Sequence, residues 1–340
     1  MTALSARSEP RQGRIYVAGH RGMVGSALLR RLHALGERDL LVRERSALDL
    51  RRQADVEAFF DAEAIATVYL AAARVGGIKV NRDRPADFIR DNLQIQTNVI
   101  DAAFRSGVRR LLFLGSSCIY PQLAPQPMPE EALMSGPLES SNEAYAVAKI
   151  AGIKMCESYR RQHGCDFRSV MPTNLYGPGD NFDLQSSHVL PALLRKCHEA
   201  KISGAKCLSV WGSGTPRREF LHVDDMAAAC CHLAGLEPDA YWSAVSERCS
   251  HVNVGTGTDL RISELVELVA GVSGFRGAIE YDSDMPDGTP RKLLDVSRLE
   301  ALGWKASIGL EAGVRQTYAW LLEHWEQVTS SRGPGPHHDG

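Results

Sequence analysis

Short apolar runs alternate with longer amphipathic stretches through the first half of the chain. The apolar runs are typical of buried strands, and the amphipathic stretches have the i, i+3, i+4 spacing of helices. Strands are predicted at 15–18, 40–42, 68–71, 111–114 and 169–171, and helices at 23–35, 56–62, 86–105 and 143–162. Because the strands are continuously apolar and separated by helices, the pattern predicts an α/β fold with a Rossmann-type doubly wound parallel sheet.

The rhythm of the elements changes after Tyr176-Gly177-Pro178. Helices are predicted at 188–200, 223–235, 262–272 and 310–323, and strands at 207–211, 251–254 and 279–281. We interpret this half as a smaller, interleaved C-terminal lobe. The predicted division is a disordered tail at 1–13, a first domain at 14–177 that also receives about 219–256, the lobe at 178–218 and 257–328, and a disordered tail at 329–340.

Composition narrows the class of protein. The 340 residues carry 39 Lys and Arg against 41 Asp and Glu, so the net charge of −2 gives no general attraction to nucleic acid or to an anionic membrane. No apolar run approaches the roughly 20 residues that a membrane-spanning helix requires, and the first residues lack the apolar segment of a secretory signal. The eight cysteines show no CxxC spacing. We therefore expect a reduced, cytoplasmic protein with no nucleic-acid or membrane partner.

The group His222, Asp224 and Asp225 raises the question of a metal site. An aspartate directly before Met226 and the following alanines also suits the start of a helix, where it would act as a cap. No other ligand cluster accompanies the group, so we favour helix capping and expect no metal.

The first predicted strand leads directly into a glycine-rich turn, AGHRGMVG at residues 18–25. Gly19 would allow the tight turn, Gly22 would let the backbone approach a pyrophosphate, and Gly25 would allow the helix to pack closely on the strand. The amide groups at the start of the helix would then face the anion. This succession of strand, turn and helix predicts a dinucleotide-binding site.

The end of the second predicted strand bears on the choice of dinucleotide. NAD-binding chains place an acidic residue there for the ribose 2′-hydroxyl, whereas this chain has Arg43-Glu44-Arg45. An arginine at this position attracts a 2′-phosphate, and His20 and Arg21 in the glycine-rich turn add positive charge. The sequence therefore favours NADP, although Glu44 leaves NAD open.

Candidate catalytic residues follow the predicted strand 111–114. Ser116 and Cys118 lie at the strand end where open α/β sheets bind their ligands. Further along, Tyr145 and Lys149 share one face of a predicted helix because they are four residues apart. We expect the Lys149 ammonium to favour the phenolate and so to lower the pKa of Tyr145. Such a tyrosine can exchange a proton with a carbonyl oxygen to which Ser116 also donates a hydrogen bond.

With these residues the sequence resembles the extended short-chain dehydrogenase/reductases, and more narrowly the GDP-L-fucose synthase family. In the first half the resemblance is carried by AGHRGMVGSA, AAARVGGI, FLGSSCIYP, NEAYAVAKIAGIKMCESY and SVMPTNLYGPGDNF. In the second half it is carried by SHVLPALLRK, WGSGTPRREFLHVDDMA, HVNVGTGTD and PDGTPRKLLDVSRL. It extends from about Arg14 to about Glu323.

The resemblance implies an NADP-dependent oxidoreductase with epimerase activity. Such an enzyme epimerises GDP-4-keto-6-deoxy-D-mannose at C3 and C5 and reduces C4 with NADPH, giving GDP-L-fucose. The implied catalytic residues are Ser116, Cys118, Tyr145, Lys149 and His188. Cys118 is cast as the base and His188 as the acid of the epimerisation, roles that a thiolate and an imidazole can fill near neutral pH. Ser116 and Tyr145 would hold the oxygen of the enolate that forms.

The resemblance also implies the binding residues, with NADP on the first domain and the GDP-sugar on the lobe. Those for NADP are Gly19, His20, Arg21, Gly22, Met23, Val24, Gly25, Arg43, Arg45, Ser46, Asp49, Leu114, Gly115, Ser116, Ser117, Lys149, Pro172, Thr173, Asn174, Leu175 and His188. Those for the substrate are Lys196, Trp211, Arg218 and Asp287.

Some of these expectations have alternatives. Arg217 could share or replace the phosphate contact of Arg218, and Trp211 also suits a core position at the end of an apolar strand. Helices 86–105 and 143–162 resemble those that pair in homodimers of the family, so a homodimer is expected.

Two other functions stay open at this point. A nucleotide-sugar 4-epimerase or 4,6-dehydratase that retains NAD has a related sequence, but a dehydratase needs a carboxylate acid–base pair where this chain has Cys118 and Ile119. A catalytically silent protein that senses cofactor or serves as a scaffold is the other alternative. Such chains typically lose the Tyr–Lys pair, which is present here.

Overall fold

The computed structural model describes residues 13–285 and 287–330, except for the side chains of Ile78 and Lys79. The strands are β1 (Arg14–Ala18), β2 (Leu40–Leu41), β3 (Ile65–Leu70), β4 (Arg110–Leu114), β5 (Asp166–Pro172), β6 (Asn174–Tyr176), β7 (Cys207–Trp211), β8 (Arg217–Arg218), β9 (Phe220–His222), β10 (His251–Val254), β11 (Leu260–Arg261), β12 (Ala278–Asp282) and β13 (Arg291–Lys292). The helices are α1 (Met23–Ala34), α2 (Gln53–Ala62), α3 (Ile78–Asp83), α4 (Pro85–Arg105), α5 (Glu143–His163), α6 (Val189–Ile202), α7 (Val223–Gly235), α8 (Pro238–Ser243), α9 (Ile262–Ser273), α10 (Ser297–Ala301), α11 (Leu310–Glu323) and α12 (Trp325–Ser330).

The central sheet has six parallel strands in the order β2-β1-β3-β4-β5-β10. The predicted doubly wound parallel sheet is thereby confirmed. The strand order reverses between β1 and β3, and in such sheets the crevice at the carboxyl ends of the strands at this point is where ligands bind.

Helices cover both faces of the sheet because each presents one apolar side to it. Val56 of α2, Val99 of α4 and Ile153 of α5 belong to the apolar cluster on one face. Leu28 of α1 and Met226 of α7 belong to the cluster on the other face. The parallel strands are therefore covered on both sides, which explains their continuously apolar sequences.

A third apolar cluster lies in the second half of the chain. Leu194 of α6, Val269 of α9 and Val314 of α11 are fully buried in it. Small sheets accompany these helices, in the strand orders β11-β8-β13 and β12-β7.

The boundaries of several elements differ from the predicted ones. Strand β5 begins at Asp166 rather than at residue 169. The apolar pattern missed these residues because they include the fully buried Arg168, which pairs with Asp166 and donates to the Leu233 and Leu236 carbonyls. Such a buried ion pair interrupts the apolar pattern without interrupting the strand. The short strand β8 consists of two arginines, so no apolar pattern could predict it.

The predicted C-terminal disordered tail begins two residues too early. Thr329 and Ser330 belong to α12, so helical structure continues two residues into the segment predicted as a tail. The rest of both tails, apart from Gly13, lies outside the described residues. Within the described ranges, no helix is long and apolar enough to cross a membrane.

Candidate active site

The glycine-rich turn joins β1 to α1 with close backbone contacts. Gly19 has a φ of +82°, and a Cβ on Gly25 would lie 2.0 Å from the Gly19 oxygen, so neither position accepts a side chain. Helix α1 begins directly after Gly22, and no side chain caps its first amide groups. These amides lie at the carboxyl end of β1 and suit the pyrophosphate of a dinucleotide.

The cations near the end of β2 already have carboxylate partners. Nη2 of Arg43 lies 2.6 Å from Oε1 of Glu63, and Nη1 of Arg21 lies 3.4 Å from Oε1 of Glu44. Arg21 and Glu44 are both more than half exposed, so water screens this pair. A 2′-phosphate would therefore have to compete with Glu63 for Arg43.

The remaining residues predicted at this end have different surroundings. Asp49 accepts a hydrogen bond of 2.7 Å from Arg51, and this side-chain contact lowers the pKa of the Asp49 carboxyl. Arg45 and Ser46 are exposed. In the glycine-rich turn, burial and then the neighbouring Arg21 lower the pKa of His20.

The predicted cofactor residues after β4 and β5 lie at the same edge of the sheet, because parallel strands end together. The Gly115 amide donates to the Val170 carbonyl at 2.7 Å, and the Thr173 amide donates to the Val254 carbonyl at 3.0 Å. The Asn174 side chain donates to the carbonyl of Glu219 at 2.8 Å. Leu114 and Pro172 are the last residues of their strands, and Ser117 and Leu175 follow closely.

A hydroxyl, a thiol and a phenol meet beyond the end of β4. Oγ of Ser116 lies 2.9 Å from Sγ of Cys118. The Ser116 side chain also interacts with the phenol of Tyr145 and acts to lower its pKa. A short 3₁₀ helix at Ser117–Ile119 turns the chain between the serine and the thiol. The Asn142 side chain donates to the Cys118 carbonyl at 3.1 Å and so joins this turn to the start of α5. The structure therefore brings together Ser116, Cys118 and Tyr145, three of the predicted catalytic residues.

Lys149, one helical turn after Tyr145 on α5, is buried. Its Nζ donates to the Leu114 carbonyl at 2.9 Å and lies 4.9 Å from the centre of the Phe113 ring. Burial lowers the pKa of Lys149 to about 8, against a smaller opposing effect of Cys118.

The surroundings of Tyr145 do not lower its pKa as the sequence led us to expect. Burial raises the pKa of Tyr145 well above its ordinary value, the charge of Cys118 adds to this rise, and the hydrogen bond from Ser116 opposes it. The Lys149 ammonium is directed to the Leu114 carbonyl instead. In this state the phenol keeps its proton at neutral pH.

His188 lies on a different segment, immediately before α6. Its side chain is exposed to solvent, yet the surrounding protein atoms lower the pKa of His188 by desolvation. Within the described ranges, it makes no hydrogen bond to Ser116, Cys118 or Tyr145. Its position before α6 therefore agrees with the predicted helix start, and its catalytic role stays a prediction.

Trp211 is 64% exposed, so the alternative interpretation of Trp211 as a core residue is wrong. Nζ of Lys196 lies 5.2 Å from the centre of the Trp211 ring, a cation–π contact. Asp287 accepts hydrogen bonds from the amide of Ser213 at 2.9 Å and from its hydroxyl at 2.6 Å. Asp287 therefore shapes the turn that follows Trp211.

The two adjacent arginines of β8 have different partners. Nε of Arg217 lies 2.8 Å from Asp259, which also pairs with Arg291. No carboxylate in the described part of the chain lies within salt-bridge distance of Arg218. Burial lowers the pKa of Arg218, and Asp287 has a smaller opposing effect. Arg217 is thus occupied, and Arg218 is the better candidate for an anionic ligand.

Lys292 is a candidate that sequence reasoning missed. It is the register partner of Arg218, because β13 runs parallel to β8. Neighbouring residues in a parallel pair project from the same face of the sheet, so the Arg218 and Lys292 side chains leave the backbone on one face. No signal in the sequence could have found this pair, because 74 positions of chain separate residues that only the sheet register aligns.

The group around His222 is not arranged as a metal site. Nδ1 of His222 accepts a hydrogen bond of 3.2 Å from the Asp224 amide, so His222 rather than an aspartate caps α7. Asp225 accepts from the amides of Ser307 and Ile308. Capping was predicted here, but for the wrong side chain.

The glycine-rich turn and the Ser–Tyr–Lys group at neighbouring strand ends define a Rossmann-fold enzyme of the NAD(P)-dependent class. The chain matches the model of the NAD dependent epimerase/dehydratase family over residues 15–242. It is 58% identical over 317 residues to "Probable GDP-L-fucose synthase 1" of Oryza sativa subsp. japonica, covering 92% of this chain and 93% of that protein. It is 56% identical over 314 residues to the GDP-L-fucose synthase of Escherichia coli (strain K12), covering 92% of this chain and 98% of that protein.

A solved structure agrees with these relatives. The GDP-L-fucose synthetase of Naegleria fowleri bound to NADP is similar with a TM-score of 0.82 and 26% identity, covering 93% of this chain and 96% of that chain. The chain belongs to the NAD dependent epimerase/dehydratase family and, within it, to the GDP-L-fucose synthases.

Proposed function

We propose that this enzyme converts GDP-4-keto-6-deoxy-D-mannose to GDP-L-fucose, by epimerisation at C3 and C5 followed by NADPH-dependent reduction at C4. The observation that carries the proposal is the contact of Ser116 with both Cys118 and Tyr145 at the end of β4. A reductase alone needs the serine and the tyrosine, whereas a thiol in the same group suits proton abstraction beside a ketone. High identity to GDP-L-fucose synthases over 92% of the chain supports the same reaction.

The glycine-rich turn fits NADP. The first amides of α1 would hold the pyrophosphate, and Arg21, Arg43 and Arg45 would hold the 2′-phosphate. Lys149 and the backbone after β4 and β5 would hold the nicotinamide half. Bound NADPH supplies the hydride that reaches C4.

Cys118 and His188 are the proposed base and acid of the epimerisation. The Cys118 thiolate takes the proton from the carbon beside the ketone, and Ser116 and Tyr145 stabilise the enolate oxygen by hydrogen bonding. His188 returns a proton to the opposite face of that carbon. Each inversion leaves a protonated thiol and a neutral imidazole, so both must exchange protons with solvent before the second inversion.

Tyr145 is the proposed proton donor of the reduction. When hydride reaches C4, the ketone oxygen becomes an alkoxide that needs one proton. The phenol of Tyr145 is protonated at neutral pH and can therefore supply that proton to the alkoxide. Ser116, whose side chain acts to lower the pKa of Tyr145, then stabilises the phenolate that remains.

The GDP-sugar is proposed to lie against the lobe. Arg218 and Lys292 would bind the diphosphate, Trp211 and Lys196 would contact the nucleotide, and Asp287 would hold the turn beside them. Residues 178–218 and 257–328 would then form the substrate side, and residues 14–177 with about 219–256 would form the cofactor side.

We also propose a cytoplasmic homodimer that pairs through α4 and α5. Resemblance to the family supports the pairing, and the exposed Val147 on α5 offers an apolar contact. Light scattering of the purified protein should give twice the monomer mass, and a monomer at micromolar concentration would refute the dimer. Cell fractionation tests the compartment.

The proposed reaction is tested by incubating the purified protein with GDP-4-keto-6-deoxy-D-mannose and either NADPH or NADH. We expect NADPH oxidation and a product identified by NMR as GDP-L-fucose. Oxidation that yields a sugar retaining the original C3 and C5 configuration would leave a reductase only. Cofactor binding without oxidation would favour another keto-sugar or the catalytically silent alternative.

A further inference from the structure

Glu219 is a fully buried carboxylate between the Arg218 of β8 and the start of β9. Its Oε1 accepts hydrogen bonds from the amides of Thr256 at 2.6 Å and Gly257 at 2.8 Å. Its Oε2 accepts from the amide of Leu294 at 3.0 Å. Within the described ranges no arginine or lysine pairs with it. Backbone amides therefore bind this carboxylate, an arrangement unlike an ordinary ion pair.

The backbone of Glu219 bonds to two further segments. Its amide donates to the Lys292 carbonyl at 3.3 Å, and its own carbonyl accepts from the Asn174 side chain at 2.8 Å. One residue thus joins the turn after β10, the strand β13 and the start of β6. Asn174 belongs to the proposed cofactor side, whereas Lys292 belongs to the proposed substrate side.

The Glu219 carboxylate is closely packed against its neighbours. A Cβ on Gly255 would lie 2.3 Å from Oε1 of Glu219, so a side chain at this position would displace the carboxylate. Burial raises the pKa of Glu219, while the hydrogen bonds from Leu294, Gly257 and Thr256 favour the charged form. Glu219 is buried although burial disfavours its charged form. Because backbone amides from separate segments donate hydrogen bonds to it, it is suited to holding those segments at a set distance.

We propose that Glu219 is a positioning residue for the nucleotide sugar. It sets the spacing of β8 and β13, and so the separation of the Arg218 and Lys292 side chains that face the diphosphate. Through its carbonyl it also places this pair relative to the sheet edge at Asn174. The inference rests on the proposed binding of a GDP-sugar.

The test is the Glu219→Gln variant in the full chain. The glutamine has the same shape but only one acceptor oxygen, so its NH₂ group must face either the Leu294 amide or the amides of Thr256 and Gly257. We expect the KM for the GDP-sugar to rise on the order of 10-fold or more, because a hydrogen bond to a charged group is lost. The KM for NADPH should change less than about twofold, because the glycine-rich turn is not touched.

Asp225→Asn is the matched control. Asp225 is also a buried carboxylate that accepts from two backbone amides, but those amides belong to Ser307 and Ile308. Both variants should lose thermal stability, and only Glu219→Gln should raise the KM for the GDP-sugar. Equal KM values in the two variants would overturn the positioning role and leave a structural one.

A second variant covers the case in which Glu219→Gln does not fold. Gly255→Ala keeps the carboxylate and its charge but displaces it, and it should raise the same KM. A normal KM in this variant with an altered melting temperature would also overturn the inference. Calorimetry of the wild type with GDP separates the two proposals: no binding of GDP would refute the proposed function itself, whereas binding that neither variant weakens would refute only the role of Glu219.

Discussion

The Sγ atom of Cys118 lies 2.9 Å from the Oγ atom of Ser116. The same serine side chain acts to lower the pKa of Tyr145, so one hydroxyl interacts with both the proposed base of the epimerisation and the proposed acid of the reduction. A single ketone oxygen bound at Ser116 can therefore be polarised in both reactions. The two activities should nevertheless separate by mutation, because the thiol and the phenol act on different atoms of the sugar.

Cys118→Ala should remove the epimerisation. Without the thiolate, incorporation of solvent deuterium at C3 and C5 should fall by about 10² or more, a typical contribution of a positioned base. NMR of the recovered sugar in D₂O measures this. The variant should still bind NADPH normally, and exchange at the wild-type rate would show that another group is the base.

Tyr145→Phe should remove the reduction and spare part of the exchange. The ring keeps its packing in the buried position, but no proton reaches the C4 alkoxide, so NADPH oxidation should fall by about 10²- to 10⁴-fold. Deuterium exchange should continue more slowly, because Ser116 still polarises the ketone. Normal NADPH oxidation would rule out Tyr145 as the proton donor.

Lys149 should make stability depend on pH in the alkaline range. Its pKa is lowered from 10.5 to about 8 by burial, so between these values the unfolded chain binds a proton that the folded chain does not. The free energy of unfolding should therefore rise with pH in this window, by about 1.4 kcal/mol per pH unit for this group, and level off outside it. Urea unfolding of the wild type and of Lys149→Met from about pH 7 to about pH 11 spans both pKa values. It measures how the free energy of unfolding changes with pH in the two proteins. Parallel curves for the two proteins would contradict the lowered pKa.

His188 should titrate below its ordinary pKa of 6.5 in the free protein. Binding of GDP should raise that pKa, because the diphosphate brings negative charge near the imidazole and favours its charged form. NMR titration of the histidine signals, assigned with a His188→Asn variant, tests both statements. A His188 signal that titrates above 6.5 without GDP, or that ignores GDP, would argue against its place in the substrate site.

The adjacent arginines of β8 offer a matched pair of variants. Arg218→Ala should raise the KM for the GDP-sugar on the order of 10- to 100-fold, because a cation is removed from the diphosphate. Arg217→Ala should leave that KM nearly unchanged and lower stability by about 1 kcal/mol, because Asp259 keeps its contact with Arg291. The opposite pattern would show that Arg217 contacts the substrate.

The sequence by itself determined those features of this protein that depend on residues close together in the chain. The glycine-rich turn needs close backbone contacts within seven residues of chain, so Gly19 and Gly25 are recognisable without the fold. Tyr145 and Lys149 share a helix face because they are one turn apart. The parallel sheet also followed from the local pattern, because buried strands and amphipathic helices each have a characteristic period.

The tertiary structure decided which of several similar residues is available. Asp259 pairs with Arg217 and leaves Arg218 to the substrate side, and the register of β13 places Lys292 beside it. It also directed the Lys149 ammonium to the Leu114 carbonyl rather than to the phenol. These outcomes depend on partners far apart in the chain and on the burial of each charge, neither of which a local pattern of residues contains.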